Sequence, residues 1–297
     1  MFRGLDAAAA VALIAVILVM ASLIFLGGRD LDLSFYGRDW DSGPYEGVIL
    51  VLFLQAAGVS FTATALSFLL GLGLGFTAGW ARTLRLTSWR EVREDGRFAR
   101  ALLRALARRA ASRVASFYVE IVRGTPLFVQ IVLIWSIFLT AFPDWDQNPR
   151  NLLAGLTALT LNTGGYQAEI FRAGFQSVPP GQIEAANSIG LNPRQTMRRV
   201  ILPQALRLTL PPLTNEFISL FKSSSLLFVI SVAELTDLAK SVAFVNPQVF
   251  EIFLLLTAMY LLVTLPLGRV AQSLERRYRM AGLGLGPARA ARGVRGG

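Results

Sequence analysis

The 297-residue chain contains no cysteine and no histidine. Without cysteine there are no disulfides, no thiolate zinc sites and no thiol nucleophile. Without histidine the commonest metal ligand and general base is missing. Lysine is nearly absent: Lys222 and Lys240 stand beside 27 arginines. Charged residues make up 16% of the chain and apolar residues 54%. Soluble domains carry about 25% charged and about 45–50% apolar residues. The composition therefore argues against both disorder and a soluble enzyme.

Long apolar runs are what the chain has instead. Residues 7–26 form an uncharged run of twenty. At about 1.5 Å per residue, that crosses a hydrocarbon core. The run is long for a signal-peptide core and lacks a clear A-x-A cleavage site, so it reads as a retained helix. Residues 47–80 are too long for one straight span, at about 50 Å. They read as a short interfacial piece, 47–57, before a span at 58–80. Further spans are predicted at 116–141, 151–171, 207–230 and 249–268. Pro126 is expected to kink the third span or sit near its start, and Pro211 and Pro212 to disturb the first turns of the fifth. The predicted fold is all-α, a polytopic membrane helix bundle of six transmembrane helices.

Charge in the connections tests that count. Segment 81–115 has ten Arg against Glu91, Glu94 and Asp95, and segment 172–206 has four Arg against Glu184. The tail from Arg269 has seven Arg against Glu275. Segments 27–46, 142–150 and 231–248 carry more acids than bases. Basic and non-basic connections alternate, as the positive-inside rule requires for six spans with both termini cytoplasmic. The net charge of +10 is thus split among membrane-flanking loops, unlike a nucleic-acid surface. Segment 97–111 repeats arginine at positions 97, 100, 104 and 108, beside Phe98, Leu102 and Leu106. It reads as a basic amphipathic helix, either on the anionic inner leaflet or solvated in the cytoplasm. The Gly/Ala/Arg-rich tail 281–297 is expected to be disordered.

Gly73-x-Gly75-x-x-Ala78 matches a dinucleotide fingerprint as a string, but it lies inside an apolar span with no strand before it. Gly71, Gly75 and Gly79 instead form two small-xxx-small steps, which let another helix approach closely. No G-x-x-x-x-G-K-[ST] occurs, so the chain has no phosphate cradle of that kind. The segment 178–206 reads as a helix–turn–helix. Gln182–Ile189 form a short helix ended by Gly190 in a left-handed turn. Asn192 caps a second helix with Pro193 at its first position, and Pro203 ends or redirects it. Such a knob, held between two spans, suits docking into a groove of a cytoplasmic partner rather than DNA.

Glu184-Ala185-Ala186-x3-Gly190-x9-Val200-x-Leu202-Pro203 resembles the EAA loop of ABC importer permeases, with Val200 in place of the commoner isoleucine. Four further strings resemble the polar amino acid permeases among them. They are Arg123-Gly-Thr-Pro-Leu-Phe-Val-Gln130, Ala168-Glu-Ile-Phe-Arg172, Leu202-Pro-Gln-Ala-Leu-Arg207 and Pro211-Pro-Leu-Thr-Asn-Glu-Phe-Ile218. The resemblance covers residues 58–280. It divides the chain into an N-terminal helix and extracytoplasmic loop (1–46), a permease domain (47–280) with its coupling loop (178–206), and the tail (281–297). The span at 7–26 and the long connection 82–113 depart from the usual pattern of five spans.

The resemblance implies an amino acid importer of the bacterial inner membrane. This chain and a second permease, identical or homologous, would form the pathway. Two ATP-binding cassette subunits would hold the ATP and Mg, and this chain no cofactor. An extracytoplasmic binding protein would deliver the amino acid. Glu184, Ala185, Ala186, Gly190, Leu202 and Pro203 would couple the pathway to the ATPases.

Polar groups inside spans are candidates for the substrate pathway because they are costly in lipid. Asn215, Ser219 and Lys222 share one helical face. Lys222 is expected either to bind a substrate carboxylate or to pair with Glu216 of a neighbouring subunit. Asn162, Thr163 and Gln167 lie mid-membrane beside Gly164 and Gly165, as substrate ligands or as interhelical hydrogen-bonders. Glu169–Arg172 and Glu120–Arg123 read as gating or structural ion pairs at i, i+3. The rival functions are a gradient-driven secondary transporter, a channel and a membrane enzyme. The first would show an inverted repeat, and none is visible. No ring of pore residues is evident for the second, and the third would have only scattered carboxylates to work with.

Overall fold

The computed structural model describes residues 39–42, 45–83 and 98–278. The expected span 7–26, the tail 281–297 and the middle of the connection 82–113 lie outside the described residues. A hairpin of β1 (Asp39–Ser42) and β2 (Tyr45–Val48) pairs Asp39 with Val48 in antiparallel register. It is a small addition to described residues that are otherwise mostly helical. The helices follow as α1 (Ile49–Thr83), α2 (Phe98–Gly124), α3 (Leu127–Ala141), α4 (Gln147–Gln176), α5 (Pro180–Ser188), α6 (Pro193–Thr196), α7 (Leu202–Ser223), α8 (Leu235–Val245) and α9 (Val249–Tyr278). A π-turn (Met197–Ile201) joins α6 to α7, and a 3-10 turn (Ser224–Ile230) leaves α7.

By length and composition, three stretches among the described residues suffice to cross a membrane: Ile49–Thr83, Pro193–Ile230 and Val249–Tyr278. The bent pair α2 and α3 makes a fourth if counted as one span. The structure revises the expected boundaries. No break separates 47–57 from 58–80, since α1 is continuous over 35 residues. Its threonine hydroxyls are satisfied within the helix, as where Thr62 and Thr64 donate to the carbonyls of Gly58 and Ser60, both at 2.7 Å, whereas Ser67 donates to the Leu156 carbonyl of α4 at 3.3 Å. The expected span 116–141 is two helices whose axes differ by 111°. Pro126 has no N–H and restricts Thr125, so α2 stops and α3 starts anew. The Gln130 amide crosses this turn, donating to the carbonyls of Val122 (2.8 Å) and Thr125 (3.1 Å).

Helix α4 covers the expected span 151–171 but is too polar to count as membrane-crossing on composition alone. It is enclosed instead, packing against α1, α2, α3 and α7. The expected outside connection 231–248 is mostly helix: Leu235, Leu238, Ala239 and Val242 of α8 are buried with Ile49, Phe53, Phe221 and Ile252. Glu234 caps α8, accepting from the Asp237 N–H at 3.0 Å and from the Ser60 hydroxyl of α1 at 3.2 Å. Pro211 and Pro212 lie within α7 rather than in its first turns.

The glycine ridge of α1 acts as the spacing predicts. A Cβ on Gly71, Gly75 or Gly79 would lie 2.6 Å from Thr163 Cγ2, Gln167 Cβ or the Ala168 carbonyl of α4. A Cβ on Gly73 would meet nothing within 4 Å. Gly75→Ala should therefore lower the thermal stability of the detergent-solubilised protein, by about 1–3 kcal/mol of overpacking. Gly73→Ala should leave it unchanged or raise it slightly, since alanine favours helix. Equal melting temperatures for the two variants would contradict close packing of α1 on α4.

Candidate functional site

The residues expected to couple the chain to an ATPase form one small unit. Helix α5 runs from Pro180 to Ser188, slightly earlier than the predicted 182–189. Gly190 then takes φ +81, the left-handed conformation that β-carbons disfavour. The Gly190 N–H bonds the Asn187 carbonyl at 3.0 Å, and the Leu191 N–H bonds that of Ala186 at 3.1 Å. Asn192 opens α6 with a capping box: its side chain accepts from the Gln195 N–H, and the Gln195 side chain accepts from the Asn192 N–H. Ala186 is buried, whereas Glu184 and Ala185 are exposed on the outer surface of the knob.

Pro203 does not end the second helix. The preceding π-turn carries the backbone past it, with the Leu202 N–H donating to the Met197 carbonyl. Gln204 fastens the junction, donating to the Gln182 side chain at 2.6 Å and the Val200 carbonyl at 2.9 Å. The knob thus continues into α7 with no intervening loop.

Helix α4 carries the second group. Glu169 accepts from Arg82 of α1 at 2.6 Å and from Arg172 of its own helix. Arg123 of α2 lies 3.8 Å from the same carboxylate and stacks on the Tyr166 ring, 5.6 Å from its centroid. Three helices therefore converge on one carboxylate. The predicted pair Glu169–Arg172 is part of this larger cluster. Of the predicted pair Glu120–Arg123, Glu120 is exposed and Arg123 turns to Glu169 instead. Arg82 escaped the sequence reading because it lies 87 residues from Glu169.

The polar residues expected mid-membrane are bonded between helices. Asn162 donates to Gln130 of α3 at 3.0 Å, Thr163 to Glu216 of α7 at 3.0 Å, and Gln167 to the Phe68 carbonyl at 3.3 Å. Gly164 and Gly165 open no free space. Their missing side chains admit the Tyr118 hydroxyl, Leu74 and Val122. On α7, Asn215, Ser219 and Lys222 share an exposed face, while Glu216 points back to α4 of the same chain. A groove of about 450 Å³ lies between α4 and α7, with Arg123, Tyr166, Glu169 and Glu216 supplying its polar wall and Leu208 and Pro212 part of its apolar one. Sequence reasoning did not bring Tyr166 and Glu216 together there, because that requires knowing that α4 and α7 are neighbours.

Residues 96–280 match the family model described as a binding-protein-dependent transport system inner membrane component. The chain is 34% identical over 229 residues to the glutamine transport system permease protein GlnP of Escherichia coli strain K12, covering 77% of this chain and 94% of the relative. It is 41% identical over 182 residues to the L-cystine transport system permease protein TcyB of Bacillus subtilis strain 168, covering 60% of this chain and 76% of the relative. A crystal structure of an amino acid ABC transporter with histidines superposes with a TM-score of 0.63 at 34% identity, covering 77% of this chain and 94% of that one. With its helix bundle, enclosed polar helix and loop-borne knob, the chain belongs to the family of binding-protein-dependent transport system inner membrane components.

Proposed function

We propose that the chain is the permease subunit of an ATP-driven amino acid importer, with ATP and Mg held by two partner ATPases and no ATPase site or cofactor of its own. A second permease, identical or homologous, completes the pathway, and an extracytoplasmic binding protein supplies the amino acid. The observation that carries this reading is the continuity of the knob with α7. A push on α5 and α6 reaches the bundle through the π-turn and the Gln204–Gln182 bond, with no loop to absorb it. The relatives named for glutamine and cystine transport support the amino acid class. So does a groove whose polar wall holds an arginine-bound carboxylate and a second carboxylate, Glu216. Alternating access by rocking of such a bundle needs no covalent chemistry from the permease.

Two substitutions test separate parts of this reading. Gly190→Val places a β-branched residue at φ +81 and should distort the knob. Uptake and association with the ATPase should be lost while membrane insertion persists. Uptake at the normal rate in this variant would remove the docking role from 178–206.

Lys222 lies exposed on the face of α7 that carries Asn215 and Ser219. An unpaired ammonium inside a span costs about 2.5–3.5 kcal/mol on insertion scales, so this face should line a watery pathway. Lys222→Met should leave assembly and basal ATPase activity intact and reduce uptake at least about tenfold, corresponding to the loss of one charge-assisted hydrogen bond. Lys222→Arg should be intermediate, because a planar guanidinium does not replace a compact ammonium. Impaired assembly in Lys222→Met, restored by removing an acidic partner, would assign Lys222 to an ion pair instead.

A further inference from the structure

Helix α2 carries a surface that transport leaves unused. Between Phe98 and Val119 it holds no acidic residue. Arg100, Arg104 and Arg113 are exposed, and among the described residues none forms an ion pair or hydrogen bond with them. Leu103, Leu106, Val114, Phe117 and Ile121 are exposed as well, Leu103 at 70% and Phe117 at 66%. Their successive spacings of three, eight, three and four residues set them in one line along the helix. The opposite face is the buried one: Ala115 and Val119 pack on Ala78 of α1 and Ala168 of α4.

At about 100° per residue, Arg100 and Arg104 fall on one flank of the apolar line and Arg113 on the other. The axis of α2 also stands 111° from that of α3, so the two do not form one straight span. An apolar line bordered by guanidinium groups on both sides suits a helix at the boundary of water and hydrocarbon. Its apolar side chains reach acyl chains while the arginines extend to phosphate oxygens, which they bind in a bidentate fashion.

We propose that the outer face of α2 binds anionic phospholipids of the cytoplasmic leaflet. The line from Leu103 to Ile121 contacts acyl chains, and Arg100, Arg104 and Arg113 contact headgroup phosphates. The lipid thereby steadies the helix that leads into the Gly124–Pro126 bend and carries Arg123 to Glu169. This inference requires only that the chain sits in a membrane, and it stands or falls independently of the substrate.

The test uses the full-length protein in nanodiscs of mixed phosphatidylcholine and phosphatidylglycerol. Lipids retained by the protein are counted by native mass spectrometry. Wild type should enrich phosphatidylglycerol, and the triple variant Arg100→Gln/Arg104→Gln/Arg113→Gln should lose that preference by roughly fivefold per arginine at most. Equal enrichment in the two proteins would overturn the proposal. A second readout does not depend on the triple variant folding. The chain has no native cysteine, so Val114→Cys accepts a single fluorophore. Nitroxide-bearing lipids should quench it strongly. A probe that these lipids do not quench would mean that a second copy or another protein covers this face, and that the lipid assignment is wrong.

Discussion

An amide or carboxylate left without a partner in hydrocarbon costs several kcal/mol, and α4 carries Asn151, Asn162, Thr163, Gln167 and Glu169 on one helix. The bundle encloses that helix. Glycines of α1 bring its backbone close on one side. Partners on every neighbouring helix then meet most of the polar groups, with Gln167 Oε1 and the Thr160 hydroxyl left over. Trp135 of α3 donates to Asn151 at 2.8 Å, and Asn151 donates to the Ile230 carbonyl at 2.7 Å. Glu216 of α7 receives Thr163, and arginines of α1 and α2 approach Glu169. Such bonds are individually modest in membranes, but their geometry fixes which helix lies beside which.

The same enclosure links the core to the knob. Helix α7 lies against α4 through Ala205, Leu213, Phe171 and Phe175, and it begins at the π-turn that ends the knob. A displacement of the knob therefore acts on the surface that bounds the groove. Glu169 and Arg123, two members of the ion-pair cluster, sit on that groove wall. A partly buried cluster of this kind is weak evidence for stability, and more informative as a set of contacts that can be rearranged.

Much of this was legible in the sequence, for identifiable reasons. The small-xxx-small step, the left-handed Gly190 and the Asn192 cap are local, and local rules place them. Arg123–Gln130, read as a family string, proves to be a bend with a glutamine collecting its freed carbonyls. Leu202–Arg207 holds the glutamine that ties the knob to α7. What stayed hidden depends on distant neighbours. Arg82 on Glu169, Ser60 on Glu234 and Glu216 on Thr163 join residues far apart in the chain, and no periodicity signals them. The segment 231–248 read as a loop because α8 is only 11 residues long. The π-turn was invisible because proline normally marks a helix end.

The central claim is that ATP consumed by partner subunits, rather than an ion gradient, drives amino acids through this bundle. Reconstitution into liposomes tests it directly, with labelled amino acid uptake measured with and without the ATPase subunits and the binding protein. The account predicts uptake only when both partners and ATP are present, undiminished when proton and sodium gradients are collapsed. Uptake by the permease alone, following an imposed ion gradient, would contradict it.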